Sequence, residues 1–564
     1  MAFLHRLYKS RRNAAAAAAS ASFLLLLLVL CLSLRTRHGG TFFSGPGAGA
    51  RGRGSCEAEL QALEGRAARC RYLRSSSRPP CAPTGYVDYL ALFYCACGDD
   101  EGLWWSPWLG GAAIALWLLL LFYLLGDTAS EYFCASLEGL SAALRLPPAV
   151  AGVTLLSLGN GAPDVLSSVV AFASDGGEAG DVGLSGALGG ALFVSTVVAG
   201  IVAIVAARRG GAVIERRGFV RDACFLLVAL CYLLAVLVAG TVTVWAAACF
   251  LSLYAAYVLL VSTSHCCSAP AADGDSTNTM KPSDDLAAPL LLPVAVSSKQ
   301  PPRTFASGLL AALHAPLYLP RRLTIPDIAA HRWSRPCAVT STLLGPLLLA
   351  VVTFPTSPTV LLAGALTGTL LAMAAATTTD TTAPPHGRYV RLVWLSGGFL
   401  MSILWSYLLA RELVALLVST GIIVGVPASV LGVTVLAWGN SLGDMVADVA
   451  MATQDGAAGA QTAVAGCYAG PAFNTVVGLG LSMALAAGAR YPEPYKIPVD
   501  AATYVTVAFL VAGLAWALVV LPARGMRLDA VLGAGLLAVY LCFIAVRVAD
   551  AVGVLSLDSL LPRQ

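Results

Sequence analysis

The chain has 564 residues, of which 58 % are hydrophobic and 12 % are charged, and its formal net charge is +4. So apolar a composition excludes an ordinary soluble protein and predicts an all-α polytopic membrane protein whose surroundings are the lipid bilayer. The basic residues are distributed among loops and form no single patch, so we expect no nucleic-acid partner.

Residues 1–34 join a basic start to an apolar run, which is typical of either a cleaved signal sequence or a first anchor helix. The basic residues are Arg6, Lys9, Arg11 and Arg12. No clear cleavage site of small residues follows directly, and both interpretations stay open.

Residues 35–106 are predicted to form an extracytosolic region that contains Cys56, Cys70, Cys81, Cys95 and Cys97. Disulfides among these cysteines are expected if the region faces an oxidising compartment. Because five is an odd number, at least one cysteine stays free or pairs elsewhere.

Hydrophobic spans long enough to cross a bilayer follow in two sets of five, with two linking spans between them. The first set fills 107–263 and consists of 107–125 with a helical continuation to 144, 147–173, 181–207, 221–239 and 241–263. A polar segment, 264–336, is expected to be a cytosolic loop that is disordered in part. The linking spans, 337–353 and 358–376, fill 337–376. The second set lies in 377–548 and consists of 392–420, 427–453, 461–487, 501–521 and 528–548, before a tail at 549–564.

The two sets contain a duplication. When the sequence is shifted by 280 positions, 147–164 falls on 427–444 with nine of eighteen residues identical. The match ends in Gly159-Asn160-Gly161-Ala162-Pro163-Asp164 and Gly439-Asn440-Ser441-Leu442-Gly443-Asp444. Seven predicted crossings separate the starts of the two sets, and because seven is odd the repeats are predicted to be inverted.

Basic residues predict the orientation. With the amino terminus in the cytosol, the inner segments hold 21 Lys and Arg, and the short outer loops with the carboxyl tail hold four. The extracytosolic cysteine region is arginine-rich, but long segments cross membranes largely regardless of charge. The membrane itself is expected to be the plasma membrane or an endomembrane of the vacuole, Golgi or endoplasmic reticulum.

The repeated motif places Asp164 and Asp444 near the middle of the bilayer. A carboxylate there costs roughly 2.5 to 3.5 kcal/mol, so it indicates a functional site. Gly159-Asn160-Gly161 is predicted to break the first motif helix, with Pro163 in the first turn of its continuation. Two such broken helices would offer carboxylates, amides and free carbonyl oxygens to a hard cation.

The predicted cation site consists of Asn160, Asp164, Asn440, Ser441, Asp444 and Asp448. Alternatively, Asp164 and Asp444 are structural carboxylates. Asn160 and Asn440 could likewise be caps of a helix break instead of cation ligands. Ser441 would add a hydroxyl. Asp448 has no acidic counterpart in the first repeat and is either a second cation or proton site or a residue of the inner vestibule.

The paired motifs resemble the two α-repeats of the calcium/cation antiporter superfamily. Within it the chain is most similar to the plant cation/calcium exchangers and to the mitochondrial sodium/lithium/calcium exchanger, over roughly 107–548. The resemblance implies a ten-helix core in two inverted halves that exchanges cations by alternating access, with Ca²⁺, K⁺, Na⁺ or H⁺ as transported ions and no cofactor. Ala191 and Pro471 stand where the sodium/calcium branch has a further ligand, so a lower affinity for Ca²⁺ is expected.

The sequence therefore predicts a secondary active cation antiporter and not an enzyme. The alternatives are an intramembrane aspartyl protease, whose second motif is Gly-x-Gly-Asp, and a cation channel, which needs no symmetric halves. Contact with anionic lipid is a further prediction for the basic cytosolic segments, with topological anchoring as the alternative. The residues in question are Arg321, Arg322, Arg332 and Arg335.

Overall fold

The computed structural model describes residues 59–60, 62–74, 85–96, 107–144, 157–173, 177–267, 318–381, 383–385, 387–454, 456–497 and 500–555. The predictions for residues 1–34 and for most of the polar loop and the tail lie outside these ranges. Within them, 11 helices are long and apolar enough to cross a membrane, and a shorter apolar helix covers Gly161–Ala173. Together they match the predicted five, two and five spans, which confirms an all-α polytopic membrane protein.

Two short helices, α1 (Arg66–Arg74) and α2 (Tyr89–Ala96), precede the first repeat. The repeat begins with α3, which runs from Pro107–Thr128 through a π-helical segment, Ala129–Cys134, into Ala135–Leu144. The predicted continuation to residue 144 is thus confirmed. The next helices are α4 (Ser157–Ala173), α5 (Gly177–Leu192, π-helical Phe193–Val198, Ala199–Arg208), α6 (Arg216–Ala239) and α7 (Val244–Cys267).

The linking helices are α8 (Arg335–Thr353) and α9 (Pro358–Thr378). The second repeat consists of α10 (Arg388–Val424), α11 (Ala428–Leu431, π-helical Gly432–Leu436, Ala437–Gln454), α12 (Gly456–Phe473, π-helical Asn474–Leu479, Gly480–Arg490), α13 (Ala501–Ala523) and α14 (Ala530–Ala551). Among the described residues, seven membrane-crossing helices, α3 to α9, come before the first helix of the second repeat. The ten-helix core therefore consists of two inverted five-helix repeats.

Local sequence explains several helix ends. The carboxylate of Asp500 accepts a hydrogen bond from the backbone nitrogen of Thr503 at 2.8 Å and so caps the start of α13. Asp529 caps α14 in the same way through Leu532. Gly240 ends α6 in the left-handed conformation, with φ 65°. The two-residue strand that follows, β1 (Thr241–Val242), pairs with β2 (Tyr495–Lys496) in antiparallel register.

The predicted helix break at 159–161 is wrong, because α4 continues through the motif as a single helix. The second motif also lies in regular α-helix, and its irregular turn, Gly432–Leu436, comes just before it. Gly in a helix costs only about 1 kcal/mol relative to Ala, which close packing offsets. Pro163 lies inside α4, where its missing amide hydrogen leaves one carbonyl oxygen of the preceding turn without its helical donor.

The chain divides into two compact units. The first comprises the described residues of Asp127–Gly159 and Val258–Trp405. One of its apolar clusters joins Tyr132, Ile325 and Met401. Residues 318–324 of this unit are helical, although the sequence places them in the polar loop. Their arginine Arg321 is 1 % exposed, so this end of the loop is packed and not extended into solvent.

The second unit comprises the described residues of Phe23–Gly126, Asn160–Tyr257 and Ser406–Gln564. It contains α4 from Asn160 onwards, α5, α6, and α11 to α14. A disulfide joins Cys70 of α1 to Cys95 of α2, as expected for an oxidising compartment. Cys56, Cys81 and Cys97 lie outside the described residues.

Candidate cation site

Asp164 is the most deeply placed acid of the two motifs. Its side chain is buried in the second unit, on α4. The amide nitrogen of Asn474, the first residue of the π-helical segment of α12, donates a hydrogen bond of 2.6 Å to its Oδ2. This bond joins the first repeat to the second within the apolar interior, where a carboxylate needs donors or a cation to offset its lost hydration.

Gly161 makes room for this contact. A Cβ atom at position 161 would lie 2.0 Å from Oδ1 of Asn474, so no side chain fits there. The duplicate of Gly161 is Ser441, and the duplicate of Asn474 is Val194. At both places the second repeat carries a polar residue where the first repeat carries an apolar one, so the site that the repeats form is not symmetric.

The side chains of Asp164 and Ser441 both lie beside Gly190 of α5. A Cβ atom at Gly190 would lie 3.5 Å from Oγ of Ser441 and 3.9 Å from both carboxylate oxygens of Asp164. Helix α5 reaches this position because its glycines approach α11 closely: a Cβ at Gly189 would lie 2.7 Å from the Cα of Val433. Small residues at such crossings allow membrane helices to pack backbone to backbone.

Four buried polar atoms of this region have no hydrogen-bond partner among the described residues. They are Oδ1 of Asn440, Oγ of Ser441, Oδ1 of Asn474 and Oγ1 of Thr475. A buried oxygen without a partner costs about 1 to 3 kcal/mol, so native proteins rarely tolerate several together. All four are oxygens, which are the ligands that hard cations prefer.

The structure describes the side-chain contacts of Asn440 but only the backbone of Asn160. The amide nitrogen of Asn440 lies 3.4 Å from Oγ of Ser167, whose hydroxyl in turn donates to the carbonyl of Pro163 at 2.6 Å. Asn440 is thus held beside α4, one turn beyond Asp164, with its oxygen still available. Asn160 lies on the backbone of α4, but its side chain is outside the described residues.

The two remaining acids lie on α11. Asp444 is half-buried and follows Ser441 by one turn. Asp448, one turn further, is 3 % exposed, and the thiol of Cys467 lies 3.5 Å from its Oδ2. A Cβ at Gly466 would lie 2.5 Å from Oδ1 of Asp448, so this carboxylate is packed tightly against α12. The structure therefore gives Asp448 a thiol and a glycine as neighbours.

Among the described residues, no group of three or more His, Cys, Asp and Glu side chains is arranged to hold a metal ion. The candidate site instead combines carboxylates, amide oxygens and hydroxyls. Sequence reasoning missed Asn474, Thr475 and Gly190. The available signal was the polar pair Asn474-Thr475 directly after Phe473 in an otherwise apolar span.

Known proteins are similar to this chain in sequence. The profile of the family "Sodium/calcium exchanger protein" matches residues 114–263 and 394–549, which hold most of both repeats. Cation/calcium exchanger 1 of Arabidopsis thaliana is 45 % identical over 531 residues, covering 89 % of this chain and 90 % of that protein. The mitochondrial sodium/calcium exchanger protein of Homo sapiens is 31 % identical over 546 residues, covering 87 % and 89 %.

Two solved structures are similar at lower identity. The H⁺/Ca²⁺ exchanger CAX aligns with a TM-score of 0.42 and 14 % identity, over 78 % of this chain and 84 % of that chain. The sodium-calcium exchanger NCX_Mj aligns with a TM-score of 0.34 and 16 % identity, over 77 % and 98 %. The family profile spans more than half of the sequence, and relatives above 30 % identity cover almost all of it. The chain therefore belongs to the sodium/calcium exchanger family, among the cation/calcium exchangers.

Proposed function

We propose that the protein is a secondary active antiporter, and not an enzyme, that moves Ca²⁺ or a monovalent cation, K⁺ or Na⁺, in exchange for Na⁺, K⁺ or H⁺. The observation that carries the proposal is the hydrogen bond from Asn474 to the buried Asp164, together with buried oxygens of Asn440, Ser441, Asn474 and Thr475 that lack partners among the described residues. An occupying cation would satisfy these oxygens and neutralise the carboxylate. The inorganic cations are the cargo, and no cofactor is needed.

In the proposed mechanism a cation binds between the repeats, with Asp164 from α4 and Asp444 from α11. Without a cation, two negative charges remain in an apolar interior, and that charged site resists the change of access. A bound cation offsets the charge and permits the change, so each return requires another cation. Exchange follows because the same carboxylates serve both ions in turn.

Asn474 and Thr475 bear on the choice of cation. A lower affinity for Ca²⁺ is expected because Ala191 and Pro471 carry no oxygen in their side chains. Ca²⁺ takes six to eight oxygen ligands, and the amide and hydroxyl oxygens of Asn474 and Thr475 add to the supply. This supports Ca²⁺ as a transported ion alongside monovalent cations, with Asp448 as the candidate for a second cation or proton.

The surroundings are also proposed. The amino terminus, if it is not cleaved, lies in the cytosol, and the protein resides in the plasma membrane or an endomembrane. Contact between the basic cytosolic segments and anionic lipid stays a prediction. Three of the arginines named for it already pair with carboxylates: Arg321 with Asp127, Arg322 with Asp327, and Arg332 with Glu131 and Asp327.

Flux into reconstituted vesicles tests the proposal. Purified protein would be placed in liposomes, and uptake of radioactive Ca²⁺ would be measured while internal Na⁺, K⁺ and pH are changed one at a time. An antiporter takes up Ca²⁺ against its gradient when the correct ion is inside, and uptake stops without that ion. A channel would show only downhill flux, and absence of coupled uptake under every condition would refute the proposal.

A further inference from the structure

Outside the cation site, the first helices of the two repeats, α3 and α10, are joined twice by segments that belong to neither repeat. We call residues 85–96 the first bridge and residues 318–334 the second bridge. The first lies in the second compact unit and the second in the first compact unit, and each ties α3 to α10 within its own unit.

The first bridge is built around Tyr89, which is 4 % exposed. Its hydroxyl donates to Oε2 of Glu412 on α10 at 2.6 Å and accepts from the indole nitrogen of Trp117 on α3 at 2.9 Å. The backbone nitrogen of Tyr86 also donates to Glu412. One phenol thus joins both helices. Burial, together with the adjacent carboxylate, raises the pKa of Tyr89, so the hydroxyl keeps its proton.

Two further contacts hold the first bridge in place. The guanidinium of Arg411 on α10 lies 5.0 Å from the ring centroid of Tyr86. Behind the bridge, Cys95 of α2 is disulfide-bonded to Cys70 of α1. The disulfide fixes the helix that begins with Tyr89, so the bridge is part of a small folded region and not a loose end of the chain.

The second bridge makes the same two attachments with other residues. On α3, Arg321 pairs with Asp127 at 2.7 Å and donates to Thr128 at 2.9 Å. On α10, the indole nitrogen of Trp405 donates to Oγ1 of Thr324 at 2.7 Å. Buried charge pairs of this kind are costly to break, because one partner is left without compensation.

A second arginine completes the attachment to α3. Arg332 pairs with Glu131 and lies 5.1 Å from the ring centroid of Tyr132. Although burial disfavours its charge, the carboxylates of Asp327 and Glu131 raise the pKa of Arg332 above its ordinary value. The guanidinium therefore remains charged.

The two bridges use equivalent positions of the repeats. The second bridge contacts Glu131 and Tyr132 on α3. A shift of 280 places these two residues on Arg411 and Glu412 of α10, which the first bridge contacts. Five membrane helices, α3 to α7, separate the bridges along the chain. Because five is odd, the number of crossings predicts that the bridges face opposite sides of the membrane.

Both joined helices contact the motif helices. A Cβ at Gly439, the residue before Asn440, would lie 2.2 Å from the ring of Phe122 on α3. Val170 and Ala171 of α4 pack on Ala410 and Val414 of α10, with Leu166 against the same cluster. Each first helix therefore packs against the motif helix of the other repeat, and a restraint on α3 and α10 is transmitted to the helices that carry Asp164 and Asp444.

From this arrangement we infer that the two bridges are opposed latches, which tie α3 to α10 on the two faces of the membrane and limit the rate at which the cation site changes access. This inference rests on the proposed function. The first latch also depends on the Cys70–Cys95 disulfide, so its strength responds to reducing agents on the side that it faces.

Single-atom changes test the latches. Tyr89→Phe removes the shared hydroxyl of the first latch, and Thr324→Val removes the acceptor of the second. Tyr72→Phe is the matched control for the first, because the Tyr72 hydroxyl bonds Glu59 within the same region at 2.7 Å. Thr340→Val is the control for the second, because Thr340 on α8 bonds, among the described residues, only carbonyls of its own helix.

Hydrogen–deuterium exchange of the protein in lipid nanodiscs would measure the amides of 107–144 and 388–424. We expect both latch variants to speed exchange in these helices by about fivefold or more, the lower end of typical couplings between sites, and both controls to match the wild type. Ca²⁺ exchange in vesicles should rise by a similar factor. Trp117→Phe removes the hydrogen bond from α3 to Tyr89 but keeps the bond from Tyr89 to Glu412. Amide exchange should therefore rise more in α3 than in α10.

Unchanged amide exchange in the latch variants, or an equal rise in the controls, would overturn the inference. A rise in amide exchange without any change in cation exchange would also overturn it, because the bridges would then only support the fold. If the wild-type protein moved no cation, the proposed function would fail, and the amide measurements would still decide whether the bridges hold the helices.

Discussion

The amide nitrogen of Asn474 and the carboxylate of Asp164 are 2.6 Å apart in space and 310 residues apart in the chain. The duplicate pair cannot make the same contact: Asp444 matches Asp164, but Val194 occupies the place equivalent to Asn474. The contact therefore belongs to the assembled site and to neither repeat alone.

The acids of the motif are the first place to test. Asp164→Asn and Asp444→Asn should each abolish cation exchange, because the neutral side chain removes the charge that a cation must offset. Insertion should be intact, as a neutral amide costs less in the bilayer than a carboxylate. Vesicle flux and the yield of monodisperse protein would be measured together. Near-normal transport by either variant contradicts the assignment.

Asn474→Ala should weaken cation binding by about 10- to 100-fold, the usual effect of losing a residue that orients a metal-binding carboxylate. The change removes the donor to Asp164 and one amide oxygen. Isothermal titration with Ca²⁺ would measure it. Val194→Ala, at the equivalent place in the first repeat, is the control and should bind as the wild type does.

Gly190→Ala should lower cation affinity about tenfold, or about 1.4 kcal/mol, while the protein still folds. The added methyl group would meet Ser441 and Asp164 at ordinary contact distances of 3.5 and 3.9 Å, so it occupies the site without a clash. Gly470→Ala is the matched control from the second repeat, because nothing lies within 4 Å of its Cβ position. Equal affinities of the two variants would place the cation elsewhere.

Ser441→Ala should lower the affinity for the cation without lowering the stability of the fold. Its hydroxyl is fully buried and lacks a hydrogen-bond partner among the described residues, so the apolar replacement should leave the thermal midpoint unchanged or raise it. Affinity for the cation should fall, because one oxygen ligand is lost. Differential scanning fluorimetry with and without Ca²⁺ would show both effects. A lower midpoint in the absence of cation would indicate a structural role instead.

Asp127→Asn should destabilise the first unit by about 3 kcal/mol, because it leaves the buried guanidinium of Arg321 without its carboxylate. The pair of Arg524 and Asp529 is the control: it is 3.4 Å long and Arg524 is half exposed, so Arg524→Gln should cost less than about 1 kcal/mol. Thermal unfolding in detergent would compare the two. Equal losses of stability in the two variants would contradict the argument that burial makes the Arg321–Asp127 pair more costly to break.

Much of this architecture was predictable from the sequence. Apolar length determines which segments cross the membrane, and the shift of 280 identifies the inverted repeats and both motif aspartates. Asn474 was not predicted, because a search by duplication finds only what both copies keep and Val194 has lost the amide. The break at Gly159-Asn160-Gly161 was predicted wrongly, because local propensity ignores the close packing that holds these residues in a helix. Arg321 looked like a loop cation, since its partner Asp127 is far away in sequence.

Gly161 and Asn474 also bear on how this transporter can change over generations. The carbonyl of the asparagine fills the space that a side chain on the glycine would need, so Gly161 cannot gain a side chain while Asn474 stays unchanged. A lineage that enlarged the residue at position 161 would have to shrink the residue at position 474 in step. Relatives with a side chain at the first position should therefore carry a smaller residue at the second.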